Sequence, residues 1–394
     1  MFFTIKKVFL IIGMCVLLTN CATKKSNEST ILAPAKKPNV ENTVKTKRLW
    51  TQDIGSSFNK DSAGFQISAD KDSLYIASQS GNVAAFDLSD KGSRLWRTKI
   101  KGNLSAGVNF GINNVYVADN NGVVYALNKN EGTQSWKKQL SSEVLVSPVE
   151  TSNVAIVRSQ DGKIVGLDST TGEQKWALKR DVPSLSLRRD ISPLIVGKAA
   201  LIGLSSGSLL ALDATIGRAL WDIPISTPAG INELERMRDI AGIPLINRNI
   251  LFLNSFQGEI ISIDASSQQL RWVKKVSSHQ QMAEDNRVIF ATASDSTIIA
   301  LNKSDGAIIW QNDQLIRRGV SAPSVIGEYV LVFGNDSDMY LFTKSTGVLA
   351  ARFSFPGKRA IGNPIILEDD TSGKLSFIAL SDNGNAYAYE IVNK

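Results

Sequence analysis

The chain has 394 residues, enough for one large repeat array or roughly two or three ordinary domains. Its 43% hydrophobic and 21% charged residues suit a globular protein with a sizeable core, and its formal net charge of +7, near +5 without Lys6 and Lys7 of a leader, is too small and dispersed for a nucleic-acid surface. Both cysteines, Cys15 and Cys21, lie near the N-terminus and His279 is the single histidine, which excludes a disulfide framework and argues against a transition-metal site.

In residues 1–20 two lysines precede an apolar run over positions 8–18. Such a run falls far short of the ~30 Å hydrocarbon core of a bilayer, so it reads as a signal peptide rather than a transmembrane anchor. It ends in Leu18-Thr19-Asn20-Cys21, which resembles a bacterial lipobox with Asn20 in place of the usual Gly or Ala. That resemblance implies cleavage before Cys21, a diacylglycerol on its thiol and a palmitate-type acyl chain on its amine. Three acyl chains exceed the two signals that stable anchoring needs. Ala22, where an Asp would retain the chain at the inner membrane, implies sorting to the outer membrane. Residues 21–46 are rich in Lys, Asn, Ser, Thr and Pro, and predict a flexible tether.

The rest of the chain, 47–394, repeats itself. Five of the seven tryptophans, Trp96, Trp136, Trp176, Trp221 and Trp310, stand four residues after a glycine. Before each comes a turn and an apolar strand, as in SGNVAAFDL at 80–88, DGKIVGLDS at 161–169 and QGEIISIDA at 257–265; the phrase occurs eight times. A further β-rich run precedes every turn. Pro148, Pro193, Pro244, Pro323 and Pro364 fall where one more strand is due, and a residue that cannot donate to a ladder marks a sheet edge. Four strands in about 43 residues predict an all-β, eight-bladed β-propeller with four-stranded blades, the Trp of each outer strand filling the wedge between blades. Asp87, Asp168, Asp213 and Asp264 recur at one turn position and read as turn chemistry.

Three departures from the repeat are informative. The connections at 179–191 and 226–242 are long, and insertions in repeat proteins gather on a working face; within the second, NELERMRD at 232–239 predicts a helical turn or an ordered loop. The seventh unit has Ala351 in place of Trp, which predicts looser packing there. The eighth ends without an outer strand, whereas Lys47-Arg48-Leu49-Trp50-Thr51 matches one, so the N-terminus is expected to pair with the last blade and close the ring.

The lipobox, the eight units and the loop text together resemble the BamB family, the lipoprotein propellers of the outer-membrane β-barrel assembly machine. Ser184-Leu185-Ser186-Leu187-Arg188 matches a stretch that, in the family, contacts the periplasmic domains of the barrel subunit. Residues 232–244, NELERMRDIAGIP, resemble the second contact loop, with Asp239 at the first of two acidic positions and Ala241 at the other. The resemblance implies a non-enzymatic scaffold without cofactor or metal. Its partner would be the barrel subunit, bound through Leu185, Leu187, Arg188, Arg236 and Asp239, with unfolded outer-membrane proteins as possible clients. Leu185 and Leu187 alternate, so in an extended segment both point to one side beside an arginine, a common hot-spot residue; the competing readings are that the leucines turn into the core and that Asp239 caps its loop. The same repeat occurs in quinone-dependent dehydrogenases, and a cell-wall-binding propeller is a third reading. His279, within Ser277-Ser278-His279-Gln280-Gln281, has no orienting carboxylate in sequence and reads as a polar loop residue.

Overall fold

Alternating and wholly apolar strands, separated by turns that need a left-handed residue, assemble into eight antiparallel sheets of four strands each. The computed structural model describes residues 33–187, 191–226, 231–232, 234–369 and 373–394. Within Pro34–Lys394, which forms one compact unit, the sheets follow one another as blades of an eight-bladed β-propeller, and the described residues contain no helix. In blades one to seven the strands run in chain order from the channel outwards. Blade three, for example, is Val149–Thr151, Val154–Arg158, Lys163–Asp168 and Gln174–Lys179. Pro148, Pro193, Pro244 and Pro323 each stand immediately before an innermost strand, and Pro364 lies at a register shift within one. These are the edge positions where a missing N–H costs nothing.

Blade eight closes the ring. Its outer strand is Val44–Asp53, which pairs antiparallel with Asn385–Asn393, from Val44 opposite Asn393 to Asp53 opposite Asn385. This seals the strand that would otherwise end the chain as an open edge.

The tryptophans hold neighbouring blades together in two ways. Trp96, Trp136, Trp176, Trp272 and Trp310 are buried, and the indole N–H of each donates to a backbone carbonyl of the next blade, at 2.9–3.0 Å. The ring also lies on the turn glycine of that next blade. Gly172 has a φ of +74°, and a Cβ there would sit 2.7 Å from Trp136. The glycine of the Gly-x-x-x-Trp phrase is therefore required twice, by its left-handed backbone and by the indole of the blade before it. Blade five has Gln268 at this turn, with φ +59°, and Trp221 of blade four is only half-buried.

Two expectations change. The looser packing expected around Ala351 does not occur: in its strand, Leu349–Ser354, residues 349, 350 and 351 are all buried, whereas the other outer strands of blades one to six bury at most the Trp. Blade eight has no hairpin at its outer turn, because the chain ends meet there, so no turn glycine exists for a Trp of blade seven to lie on. The small Ala351 instead joins a cluster with Val44, Phe377, Tyr389 and Ile391. The tether expected over 21–46 also ends earlier. The outer strand begins at Val44, and residues 35–43 are hydrogen-bonded along blade seven.

Candidate functional site

At one rim of blades one to four the chain leaving the outer strand bonds back to the central turn. Arg180 N donates to Gly162 O and Ile225 N to Gly207 O, both at 2.9 Å. The two long connections, 180–193 and 225–244, therefore rise from the same face as the central turns and flank blade four from both sides.

The second connection is organised around a single helical turn, the ordered-loop form expected of 232–239. Asn232 Oδ1 accepts the Glu235 amide at 2.9 Å, Glu235 Oε2 accepts the Ile231 amide at 2.8 Å, and Arg236 N donates to Asn232 O at 3.2 Å. This reciprocal arrangement resembles a capping box and presents Leu234 and Arg236 to solvent. Beyond it the chain is pinned to blades four and five, by Ile240 N to Leu204 O at 3.4 Å and Phe256 N to Asp239 O at 3.0 Å.

Asp239 is 4% exposed. Its Oδ1 accepts the backbone amide of Leu187 at 3.0 Å, so the second loop holds the first in place, the capping role weighed for it above. Leu185 is 40% exposed and Leu187 half-buried. Asp239 is thus buried, while Leu185 and Arg236 are exposed. Arg188 and Cys21 fall outside the described residues. Ala241, at the second acidic position of the family pattern, is buried, and its amide donates to Asn254 O at 3.3 Å.

Two supporting residues escaped the sequence reading. A Cβ on Gly203 would lie 2.7 Å from Ile240 Cγ2 and 2.8 Å from Ile191 Cδ1, so this glycine makes room for one isoleucine from each loop. Buried Arg158 of blade three donates to the Gly203 carbonyl at 2.7 Å and to Ser205 Oγ at 3.3 Å. The available signal was a glycine inside a predicted strand, which marks close approach of another segment.

The channel mouth on this face is a polar cup of about 340 Å³. Across it Asn363 Nδ2 donates to Gln281 Oε1 at 2.7 Å, while the Arg359 guanidinium on its wall bonds Asn59 O at 2.6 Å and Ser62 Oγ at 2.9 Å. His279 lies here, edge-on to Phe256 with ring centres 6.5 Å apart. The described lining contains no carboxylate, and among the described residues no three His, Cys, Asp or Glu side chains gather as a metal cluster. Asp168 and its equivalents serve as turn caps at the opposite rim: Asp168 Oδ1 accepts the Thr170 amide at 2.9 Å, and Asp213 accepts from Thr215 at 2.9 Å.

Comparison with known proteins agrees with this architecture. A family model described as outer membrane protein assembly factor BamB matches residues 79–312. Proteins of that name from Yersinia pestis and Burkholderia pseudomallei are each 28% identical, the first covering 96% of this chain and 98% of its own, the second 87% of both. The crystal structure of BamB from Moraxella catarrhalis superposes with a TM-score of 0.79 at 23% identity, over 88% of this chain and 99% of that one. A europium-containing methanol dehydrogenase shares the fold at a TM-score of 0.69 and 12% identity, covering 90% of this chain and 95% of its own. The extent of the family match places this chain in the family of outer membrane protein assembly factor BamB.

Proposed function

We propose that the chain is a non-enzymatic scaffold of the outer-membrane protein assembly machine. Through Cys21 it is lipid-anchored at the periplasmic face of the outer membrane. It docks on the periplasmic domains of the barrel subunit and assists insertion of β-barrel proteins, with unfolded outer-membrane proteins as clients. The observation that carries this reading is the exposed Leu185 beside half-buried Leu187, on a loop whose backbone is fixed by buried Asp239. An apolar anchor on a pre-ordered loop loses little conformational entropy on binding, and Arg188, next to Leu187 in sequence, and exposed Arg236 of the second loop are its cationic contacts in this reading. A quinone-type reading finds less support. It calls for a calcium ion and a catalytic carboxylate at the channel mouth, and the described cup offers amides, hydroxyls, the His279 imidazole and an arginine already committed to Asn59 and Ser62.

Replacing Leu185, Leu187 and Arg188 together by alanine should abolish co-purification with the barrel subunit, with the melting temperature of the propeller nearly unchanged. Full retention of the partner by that variant would exclude this loop as the docking site. Asp239→Asn should weaken binding less than the triple variant, because a neutral amide oxygen still accepts from the Leu187 amide.

A further inference from the structure

Residues 35–43 run down the rim of blade seven as an extended segment, tied to it at both ends and through the side chains of Lys37 and Asn42. At the loop-bearing face Ala35 N donates to Ile316 O at 3.1 Å, and Arg318 donates to the Ala35 carbonyl. Lys37 then enters an acidic notch at the central turn of blade seven. Its ammonium bonds Asp338 Oδ2 at 2.6 Å and Asp336 O at 2.9 Å, and Arg318 is itself ion-paired with the Asp336 carboxylate. Further down, Arg352 donates to Pro38 O at 2.9 Å. The Asn42 side chain copies a strand partner, accepting from Arg352 N at 3.0 Å and donating to Arg352 O at 3.1 Å. Thr43 N bonds Ala350 O at 3.0 Å before Val44 begins the ring-closing strand. Val40 packs against the cluster of Trp310 and Leu349. Exposure alternates from Pro38 to Val44, as it does along a strand lying on a sheet edge.

We propose that residues 35–43 are an intramolecular latch, seated on the free edge of blade seven, that fixes where the N-terminal segment leaves the disc. The exit lies beside Ile316, in the connection between blades six and seven, on the same face as the loops at 180–193 and 225–244. Cys21 stands 23 residues before Val44 and 14 before Ala35, so the latch shortens the greatest reach from Cys21 to the disc from about 80 Å to about 50 Å. A lipid-anchored disc would then be held closer to the membrane, the chain leaving it on the loop-bearing face. This consequence rests on the anchoring reading given above; the latch itself does not.

Hydrogen exchange on the full chain in detergent micelles tests it. Lys37→Ala with Asn42→Ala removes two latch side chains without touching a residue of the disc. In the unaltered protein the amides of Ala35 and Thr43, which donate to Ile316 O and Ala350 O, should exchange at least ten-fold more slowly than in the double variant, while the 44–53 strand keeps its protection in both. Free exchange of these two amides in the unaltered protein, or equal protection in the two proteins, would overturn the proposal. Thiol labelling of the same sample separates the two readings, because a Cys21 that takes up label is not acylated, whatever the exchange at 34–43 shows.

Discussion

The residues that repeat around the ring do so because each satisfies a local demand of the backbone. An Asp or Asn at the end of the third strand caps the outer turn, and a serine or an aspartate ties down the central one. Asp161 shows the balance of forces: burial works against its charge, but hydroxyl donors Ser141 and Ser159, each at 2.6 Å, and the Lys163 amide outweigh it and hold the carboxyl at about 2. Asp168 is lowered by Lys175 and the Thr170 and Thr171 amides. A carboxyl whose folded pKa lies below its unfolded value of about 3.9 contributes stability above that value and loses it as pH falls through the folded pKa. The melting temperature should therefore be flat from pH 7 to about 5 and fall between about 4 and 2. In Asp161→Asn the fall across that window should be shallower. An equal acid slope in the variant and the parent would show that Asp161 is not among the groups responsible.

At the scale of the strand and its turn, the pairing of indole with the next blade's glycine explains which parts of the fold were legible. The Gly-x-x-x-Trp spacing records two facts at once, a left-handed turn and an inter-blade wedge, and the eight central turn-and-strand phrases with the outer-strand match at Lys47–Thr51 make the blades and their closure legible in the text. Contacts between distant segments left no such trace. Lys37, Val40 and Asn42 look like tether residues because their partners, Asp338, Trp310 and Arg352, lie about 300 positions away. Ala351 looked like a packing defect because the missing hairpin of blade eight is a property of the ring rather than of the seventh unit. Asp239 reads in sequence as a partner contact or a loop cap, and its bond to the Leu187 amide, 52 positions away, leaves no mark there. The same pairing makes a prediction at blade five, where Gln268 occupies the glycine position at φ +59°. Relief of left-handed strain outweighs the added freedom of the unfolded chain, so Gln268→Gly should stabilise by about 0.5–1 kcal/mol. Urea unfolding reads this as a higher midpoint; an unchanged or lower midpoint would mean that the turn is not under strain.

The whole molecule depends on a seam between chain ends. Every other blade is stitched by three hairpins, whereas Val44–Asp53 reaches its sheet only after the whole ring has been built. That strand is held by backbone pairing to Asn385–Asn393, by Val44 in the cluster beneath Ala351, and by the latch that precedes it. The seam is therefore where a ring of otherwise local contacts acquires its longest-range constraint, and where opening is expected to begin. Lys45 and Val392 are register partners on it, and both are exposed. Cysteines at these two positions would face each other across an antiparallel pair, within reach of a disulfide. No other cysteine follows Cys21, so the bond forms without competition from the disc. Closing a loop that contains the entire propeller restricts the unfolded chain strongly, and about 2–4 kcal/mol of stabilisation is the expected scale. Because the bond also blocks unzipping, the oxidised protein should unfold more slowly as well as at a higher temperature, and reduction should restore the parent's rate. Identical unfolding rates with and without reductant would place the first opening elsewhere on the ring and leave the seam as a bystander to stability.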